Sequence, residues 1–219
     1  MTAPRLSAAD RARLPRLYLV TPPIDTPGLP AKLAVALEAA DVAAVLARSP
    51  AAGEAELVER VRAIAPAVQN RGVALLVERT SASVEPAGAD GVHVSGIAAL
   101  EAALRGLKPR YIVGCGGLYS RHDGMTAGER GTDYVMFGEP DPDGRRPAFA
   151  AVLDRVAWWA ELFEIPCVGW AMNFDEIADL ARAGADFVAI GDPVWTWPEG
   201  PAAAIAAAAT RLKVSEQVP

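Results

Sequence analysis

Short apolar runs alternate with longer amphipathic stretches along the chain. The apolar runs are continuous and rich in β-forming residues, which is typical of parallel strands that are buried on both faces. Eight of them predict eight strands, at Leu17–Thr21, Val42–Ala47, Val73–Val77, Gly91–Val94, Tyr111–Gly114, Tyr134–Gly138, Pro166–Trp170 and Phe187–Gly191.

The stretches between these runs predict helices, because they are amphipathic or rich in alanine. They lie at Pro30–Ala39, Glu54–Asn70, Ile97–Leu104, Ser120–Arg130, Pro147–Phe163, Phe174–Ala183 and Glu199–Leu212, with a short turn near Ser81–Ala87. Strand and helix therefore alternate, which predicts parallel pairing with right-handed crossovers. Closure at eight units gives an α/β fold, a single (β/α)8 TIM barrel. The alternative is an open doubly wound sheet, which would not need eight equivalent units.

A short internal repeat supports the same fold. Four times a small residue or two leads into Asp and then an apolar run, at Ala39–Val42, Gly88–Val92, Gly131–Val135 and Gly184–Val188. In the three glycine copies, the glycine is expected to end a helix in the left-handed conformation, and the Asp to hydrogen-bond the turn before the next strand. The spacing of roughly 40 to 50 residues also suits a solenoid. Continuous buried strands favour the barrel instead.

The predicted barrel spans residues 16–212 of the 219-residue chain. Residues 1–15 are expected to form an N-terminal extension, and residues 213–219 a polar tail without a functional signal. Because 52% of the residues are hydrophobic, the chain can bury the core of one barrel, and its length gives no reason to divide it.

Charge and cysteine content narrow the function classes. A formal charge of −6 and a pI near 5.0 disfavour nucleic acid and anionic membranes as partners, because both require a basic surface. We find neither the ~20 uninterrupted apolar residues of a spanning helix nor an apolar signal core near Met1. Cys115 and Cys167 lack metal-ligand and disulfide spacing, so buried, reduced thiols are expected. These features predict a soluble cytoplasmic protein.

Charged residues collect at the carboxyl ends of the predicted strands, where barrel enzymes place their working loops. The candidate catalytic residues at this rim are Arg48, Glu78, Arg79, His93, His122 and Glu139. Charges at a rim also solvate the surface or pair with one another. A histidine inside an apolar strand, such as His93, is more often a hydrogen-bonded core or rim residue. The segment Arg121–Asp123 also fits the solvated start of a helix.

The loops after the seventh and eighth strands are the usual phosphate cradle of such barrels. The candidate ligand-binding residues there are Trp170, Ala171, Met172, Asn173, Gly191 and Asp192. These loops are poorly suited to bind phosphate. Ala171-Met172 provides no glycine that would let backbone N–H groups approach the phosphate, and Asp192 adds a negative charge. Asn173 is explained most simply as a helix cap. Bulky Trp rings on these two loops would either narrow the barrel mouth or stack on a heteroaromatic ligand.

Four segments make the chain similar to a known family. Leu17–Thr21, Gly88–His93, Asp133–Gly138 and Ile165–Val168 resemble, in order and spacing, the thiamine phosphate synthase family, which includes the related thiazole tautomerases. The resemblance covers residues 16–212 and implies the same barrel. It also implies joining of a pyrimidine diphosphate to a thiazole phosphate with loss of pyrophosphate, assisted by magnesium. Homo-oligomerisation is plausible from this resemblance alone.

The match to the family breaks down at the rim. Of the family's motif after the second strand, this chain retains only the arginine, Arg48. Of the motif after the third strand, it retains one metal-binding carboxylate, Glu78, and the arginine, Arg79. The second metal carboxylate falls near Ala98. Since a lone carboxylate is a poor magnesium site, magnesium is expected only where a substrate diphosphate supplies the other oxygens. The tautomerase's catalytic histidine falls near Leu118.

Three functional hypotheses remain. The first is a thiamine phosphate synthase-like barrel that binds a phosphorylated heterocycle, with transferase activity weak, altered or lost. Its anion and metal side would be Arg48, Glu78 and Arg79. The second is a non-catalytic barrel that binds a ligand or a protein partner. The third is a different small-molecule enzyme at the same rim, which would use His122 and Glu139 together with Arg121.

Overall fold

Eight parallel strands close into a barrel in a computed structural model that describes residues 15–48, 53–79, 81–141 and 143–214. The strands are β1 (Arg16–Pro23), β2 (Val42–Arg48), β3 (Ala74–Glu78), β4 (Gly91–Ser95), β5 (Ile112–Gly116), β6 (Tyr134–Phe137), β7 (Cys167–Ala171) and β8 (Phe187–Ile190). Strands adjacent in sequence are adjacent in the sheet, and β8 pairs with β1. The predicted (β/α)8 barrel is therefore confirmed, and an open sheet is excluded because no strand of this ring is an edge.

Helices connect the strands around the outside of the barrel. They are α1 (Leu29–Ala39), α2 (Glu54–Gln69), a 3-10 turn (Ser81–Ser83) that leads into α3 (Val84–Ala87), α4 (Ile97–Leu107), α5 (Arg121–Arg130), α6 (Phe149–Leu162), α7 (Glu176–Arg182), α8 (Asp192–Trp195) and α9 (Pro201–Val214). The predicted helices agree in position and order. The break expected after β8 differs, because it contains the single helical turn α8. Pro193 fits this first turn, where its missing N–H leaves no hydrogen bond unmade.

The predicted ends of the barrel stay predictions. Most of the N-terminal extension (residues 1–14) and of the polar tail (residues 215–219) lies outside the described residues. Helix α9 continues to Val214, past the expected end at residue 212.

Strand side chains alternate between two buried layers, because successive residues of a strand point to opposite faces. The inner layer fills the barrel and includes Tyr18, Val20, Leu46, Leu76, Tyr134, Met136, Val168 and Trp170. The outer layer packs the strands against the helices, and Trp159 of α6 is its largest fully buried side chain. The Trp159 indole donates a hydrogen bond to the carbonyl of Ile165 at 2.7 Å, so this ring is a packing residue.

The glycine–aspartate repeats join neighbouring strands at the amino ends of the barrel. Gly88, Gly131 and Gly184 end their helices with φ of 69°, 91° and 94°, as predicted. The aspartates that follow, Asp90, Asp133 and Asp186, accept the backbone N–H groups of Leu75, Val113 and Cys167 at 2.7, 2.7 and 2.8 Å. Each carboxylate thus accepts from the start of the preceding strand, whereas the sequence predicted a hydrogen bond to its own turn. The copy without glycine differs, because Asp41 forms an ion pair with Arg16.

Both cysteines are core residues. Cys115 and Cys167 are buried and free, which confirms the sequence prediction. Burial raises the pKa of each thiol to about 12, so both stay protonated at neutral pH.

Among the helices that the structure describes, none combines the length and the apolar character needed to cross a membrane.

Candidate active site

A cleft of about 570 Å³ opens at the carboxyl ends of the strands. Most of the residues predicted from the sequence line it: Arg48, Glu78, Arg79, His93, Glu139, Trp170, Ala171, Met172, Gly191 and Asp192. They come from six different strand ends, which the barrel closure brings to one rim. This position is where barrels of this fold carry their chemistry.

Two predicted residues do not line the cleft. His122 lies exposed in the first turn of α5, where Ser120 and Asp123 form a reciprocal capping box. Asn173 is exposed, and its Oδ1 accepts the N–H groups of Asp175 and Glu176 at 3.0 and 3.2 Å. The Asn173 side chain therefore closes the turn that leads into α7, which is the capping role expected for it.

Two arginines approach the cleft from adjacent strands. Arg48 ends β2, and its guanidinium lies 3.0 Å from the Asp192 carboxylate across the mouth. Arg79 follows β3 and is mostly exposed, with its Nε 4.0 Å from Glu78. The backbone of Arg79 is left-handed, with φ of 74°, and its N–H donates to the carbonyl of His93 at 2.8 Å. A residue with a Cβ is strained in this left-handed backbone conformation. Backbone strain of this kind is concentrated at functional sites.

The floor of the cleft is a chain of polar groups that begins inside the barrel. The hydroxyls of Tyr18 and Tyr134 are 2.9 Å apart, and the Tyr134 hydroxyl shares a hydrogen bond of 2.9 Å with His93 Nδ1. His93 is only 1% exposed. Its buried Nε2 lies 3.4 Å from Glu139 Oε1 without a well-formed hydrogen bond, and the residue lines the cleft. The expectation of a hydrogen-bonded rim histidine fits this geometry.

Burial keeps the two tyrosines of this chain neutral. It raises the pKa of Tyr134 well above its ordinary value, and that of Tyr18 likewise. Neutral hydroxyls can both donate and accept, so Tyr134 can hold either tautomer of His93 in place. The ring of Tyr134 also stacks on His93 with centroids 5.7 Å apart. The imidazole is therefore fixed in orientation from below, and His93 lines the cleft.

Two glycines of β5 make room for this floor. A Cβ at Gly116 would lie 2.0 Å from Glu139 Oε2 and 2.7 Å from His93 Nε2. A Cβ at Gly114 would lie 1.9 Å from the ring of Tyr134. Neighbouring Gly117 donates its N–H to Glu139 Oε2 at 3.1 Å and so positions that carboxylate. This role was not predicted from the sequence, although the small-residue run Gly114–Gly117 was its visible signal.

The wall formed by β7 contains a buried ion pair that was not predicted from the sequence either. Arg146 precedes α6, Glu176 begins α7, and their side chains are 13% and 11% exposed. The Glu176 carboxylate accepts the Met172 N–H at 2.8 Å, and Arg146 donates to the carbonyl of Trp170 at 3.2 Å. Arg146 falls in the Pro/Gly-rich stretch that follows β6, but nothing local to that stretch points to its partner in α7.

The tryptophans leave the barrel mouth open. Trp170 lines the cleft and is almost fully buried in the inner layer. The Trp195 indole donates to the carbonyl of Val20 at 2.7 Å, and Trp197 packs on Phe174 with centroids 4.4 Å apart. Only Trp170 of the three lines the cleft, so one ring is available there for contact with a heteroaromatic ligand.

Several lining residues were not singled out from the sequence. They are Ser95, Ala99, Gly117, Tyr119, Pro140, Asp141, Gly144 and Pro193. Tyr119 is the most notable, because its ring is 56% exposed beside the cleft. A large exposed ring at a cleft offers a second surface on which a planar ligand could pack.

The carboxylates of the rim do not form a ready metal cage. In the described residues, no group of three or more His, Cys, Asp or Glu side chains is arranged to hold a metal ion. Magnesium prefers near-octahedral oxygen coordination, and on the arginine side Glu78 would supply one carboxylate for it. These residues alone do not fit a preformed magnesium site.

Comparison with known proteins gives a consistent match. The model of the family described as thiamine monophosphate synthase matches residues 17–194. The chain is 40% identical over 195 residues to the thiamine-phosphate synthase of Rhodospirillum centenum, covering 87% of this chain and 94% of the relative. It is 34% identical over 201 residues to the enzyme of the same name from Hyphomonas neptunium, covering 88% and 91%.

A solved structure shares the fold. Thiamine phosphate pyrophosphorylase from Pyrococcus furiosus superposes with a TM-score of 0.77 at 22% identity, covering 94% of this chain and 98% of the other. At this identity the likeness bears on the architecture of the barrel, and the cleft has to be interpreted from its own residues.

Proposed function

Because the chain belongs to the thiamine monophosphate synthase family, we propose that its rim cleft binds a phosphorylated heterocycle and carries an altered, weak form of the transferase reaction. The reaction would join a pyrimidine diphosphate to a thiazole, with loss of pyrophosphate. The observation that carries this proposal is the pair of arginines, Arg48 and Arg79, that enter one cleft from adjacent strands.

The arginine side would hold the diphosphate. Guanidinium groups match phosphate oxygens in geometry, and each hydrogen bond to a charged group contributes about 1.5–3 kcal/mol. Arg48 and Arg79 have carboxylate neighbours in Asp192 and Glu78. A diphosphate would compete with these carboxylates for the arginines, which is one reason to expect weaker binding than at a site of unpaired cations.

The polar floor would hold the edge of the pyrimidine ring. His93 and Glu139 line the cleft, and Trp170 forms the wall beside them. A nitrogen-containing ring can hydrogen-bond to the first two and pack on the third, which would fix its reacting carbon relative to a second ring. Since Tyr134 holds the imidazole from below, this orientation would be set before the ligand arrives.

A divalent cation would depend on the substrate for its ligands, with Glu78 supplying one oxygen and the diphosphate most of the others. A binding barrel without turnover is the second candidate. It is favoured by the lack, within the described ranges, of the carboxylate cluster that a preformed magnesium site needs. A cytoplasmic location and self-association are further proposals, the latter from family membership alone.

The test is an assay of purified protein with the pyrimidine diphosphate, magnesium and either the thiazole phosphate or the free thiazole alcohol. We expect slow product formation that falls at least about tenfold in Arg48→Ala and in Arg79→Ala, since each loses a charged contact. Arg110→Ala is the matched control, because Arg110 precedes β5 at the opposite end of the barrel and pairs with Glu85.

The possible results separate the candidates. Product that disappears in both arginine variants supports the transferase. Saturable binding of the diphosphate without product, lost in the same variants, supports the binding barrel. If neither binding nor product is detected with any combination of the two substrates, both candidates are overturned.

A further inference from the structure

Glu176 is hydrogen-bonded to a loop at which this kind of barrel commonly binds a phosphate. In (β/α)8 barrels, the loops after β7 and β8 commonly bind phosphate through backbone N–H groups. In this chain the Met172 N–H, the donor directly after β7, is bonded to Glu176 Oε2 at 2.8 Å. The side-chain amide of Asn173 lies 3.3 Å from the other oxygen of the same carboxylate. The protein's own carboxylate therefore already accepts from the first backbone donor of this loop and from the Asn173 amide.

The charge of this wall is balanced internally. Glu176 pairs with Arg146, and both side chains are nearly nine-tenths buried. The second guanidinium nitrogen of Arg146 donates to the Trp170 carbonyl, so its donors point into the protein. After β8, Asp192 adds a further carboxylate, paired with Arg48. A phosphate at this wall would meet two carboxylates and would have to displace one of them from a buried pair.

The remaining surface of the wall suits an uncharged ring. Trp170 and Ala171 present apolar surface to the cleft, and the Met172 side chain is half-exposed beside them. Asp192 can accept a hydrogen bond from a hydroxyl but repels an anion. Apolar walls with a few placed acceptors are typical of sites for neutral ligands.

We propose that the second ring substrate binds against the β7 and β8 loops as its free alcohol rather than as its phosphate ester, and that Glu176 is the specificity-determining residue. This inference rests on the proposed function, in which the diphosphate of the first ring binds to Arg48 and Arg79. The bond from the pyrimidine methylene carbon to the diphosphate oxygen breaks, and the bond from that carbon to the thiazole nitrogen forms. Pyrophosphate leaves with the bonding pair, and the product carries no phosphate.

The test compares the two forms of the thiazole by calorimetric titration in the presence of inorganic pyrophosphate. The wild-type protein is expected to bind the alcohol at least about tenfold more tightly than the phosphate ester, as the loss of one charged contact would give. Glu176→Gln keeps an oxygen for the Met172 N–H, removes the negative charge and leaves Arg146 cationic. It should strengthen phosphate-ester binding about tenfold and leave alcohol binding nearly unchanged.

A matched control lies one turn further along α7. Asp179→Asn makes the same change of charge at a residue that pairs with Arg182 instead of with the loop after β7, so the alcohol-to-ester ratio should stay at the wild-type value. A wild-type preference for the phosphate ester, or the same ratio in Glu176→Gln, would overturn the proposal. If Glu176→Gln does not fold, as judged by near-ultraviolet circular dichroism, the wild-type ratio decides alone.

The proposed function has its own readout in this experiment. Pyrophosphate is titrated first, without thiazole, into the wild type and into Arg48→Ala. Pyrophosphate binding that depends on Arg48 supports the arginine site, whatever the thiazole does. If pyrophosphate binds and neither thiazole form does, the specificity proposal fails while the arginine site stands.

Discussion

At the scale of single residues, the backbone conformation of Arg79 is expected to lower stability, while its guanidinium is proposed to bind the ligand. Its left-handed backbone, with φ of 74°, strains any side chain beyond glycine. Arg79→Gly should therefore raise the free energy of unfolding by about 0.5–1 kcal/mol, after allowing for the greater entropy of glycine in the unfolded chain. The same variant should weaken diphosphate binding, because it removes the guanidinium.

Arg79→Ala is the control that separates the two effects, since it removes the guanidinium but keeps the strained backbone. Urea unfolding should rank the glycine variant above the alanine variant and the wild type. A glycine variant less stable than the alanine variant by about 0.5–1 kcal/mol, the entropic cost of glycine alone, would mean that the backbone conformation at residue 79 carries no strain.

The buried thiols give a residue-scale prediction about pH. Burial raises the pKa of Cys115 to about 12, above the ordinary thiol value of about 8.5 in the unfolded chain. A raised folded pKa favours the protonated thiol, so this contribution to stability is complete below pH ~8.5 and is lost as pH rises through about 12. At pH 8.5 the native protein should react with Ellman's reagent far more slowly than the same protein in guanidinium chloride. Rapid labelling of the native protein would contradict the buried placement.

Residue-scale prediction from sequence succeeded where position along a strand decides the outcome. Arg48, Glu78 and Arg79 lie at strand ends, so the barrel brings them to one rim. The same rule could not find Arg146 and Glu176, because their pairing joins the loop before α6 to the start of α7, 30 residues apart in the chain. His122 failed to reach the cleft because a local capping box fixes its helix start at the surface.

At the scale of elements, the aspartates of the repeat link the starts of neighbouring strands through hydrogen bonds. Asp133 precedes β6 and accepts the N–H of Val113, near the start of β5. Asp133→Ala would leave that N–H without its partner, and we expect a loss of about 1–3 kcal/mol in the free energy of unfolding. Asp154→Ala is the matched control. Asp154 is an exposed residue of α6 that pairs with Arg121, and such surface pairs contribute only about 0–1 kcal/mol.

The prediction for Asp133→Ala is checked by chemical denaturation and by amide hydrogen exchange. Faster hydrogen exchange at Val113 in Asp133→Ala, but not in Asp154→Ala, would locate the loss at the joint between β5 and β6. Equal destabilisation by the two variants would show that the repeat has no special structural role. The sequence pattern located these joints but not the partner of each carboxylate, because the partner belongs to the neighbouring strand.

At the scale of the whole molecule, scaffold and chemistry lie at opposite ends of the same strands. The amino ends carry the repeated glycines and aspartates, and the carboxyl ends carry the cleft. Alternating apolar runs and helices were enough to predict the closed barrel, because eight equivalent units pair in sequence order. The charged side chains in the walls of the cleft pair with residues that are distant in the chain. These ion pairs could therefore be identified only in the folded structure.

The distribution of charge over the molecule carries the functional claim. The chain is acidic overall, with a formal charge of −6, yet two arginines from adjacent strands enter the cleft. The proposed binding of a diphosphate would therefore depend on these local cations rather than on a general positive field. This dependence distinguishes a built site from nonspecific attraction.

The most direct measurement is calorimetric titration of the pyrimidine diphosphate into the wild type, Arg48→Ala, Arg79→Ala and Arg110→Ala at one salt concentration. We predict saturable binding at one site, weakened at least about tenfold in the first two variants and unchanged in Arg110→Ala. No binding to the wild type, or equal affinity in all four proteins, would contradict the assignment of the rim cleft as a site for a phosphorylated heterocycle.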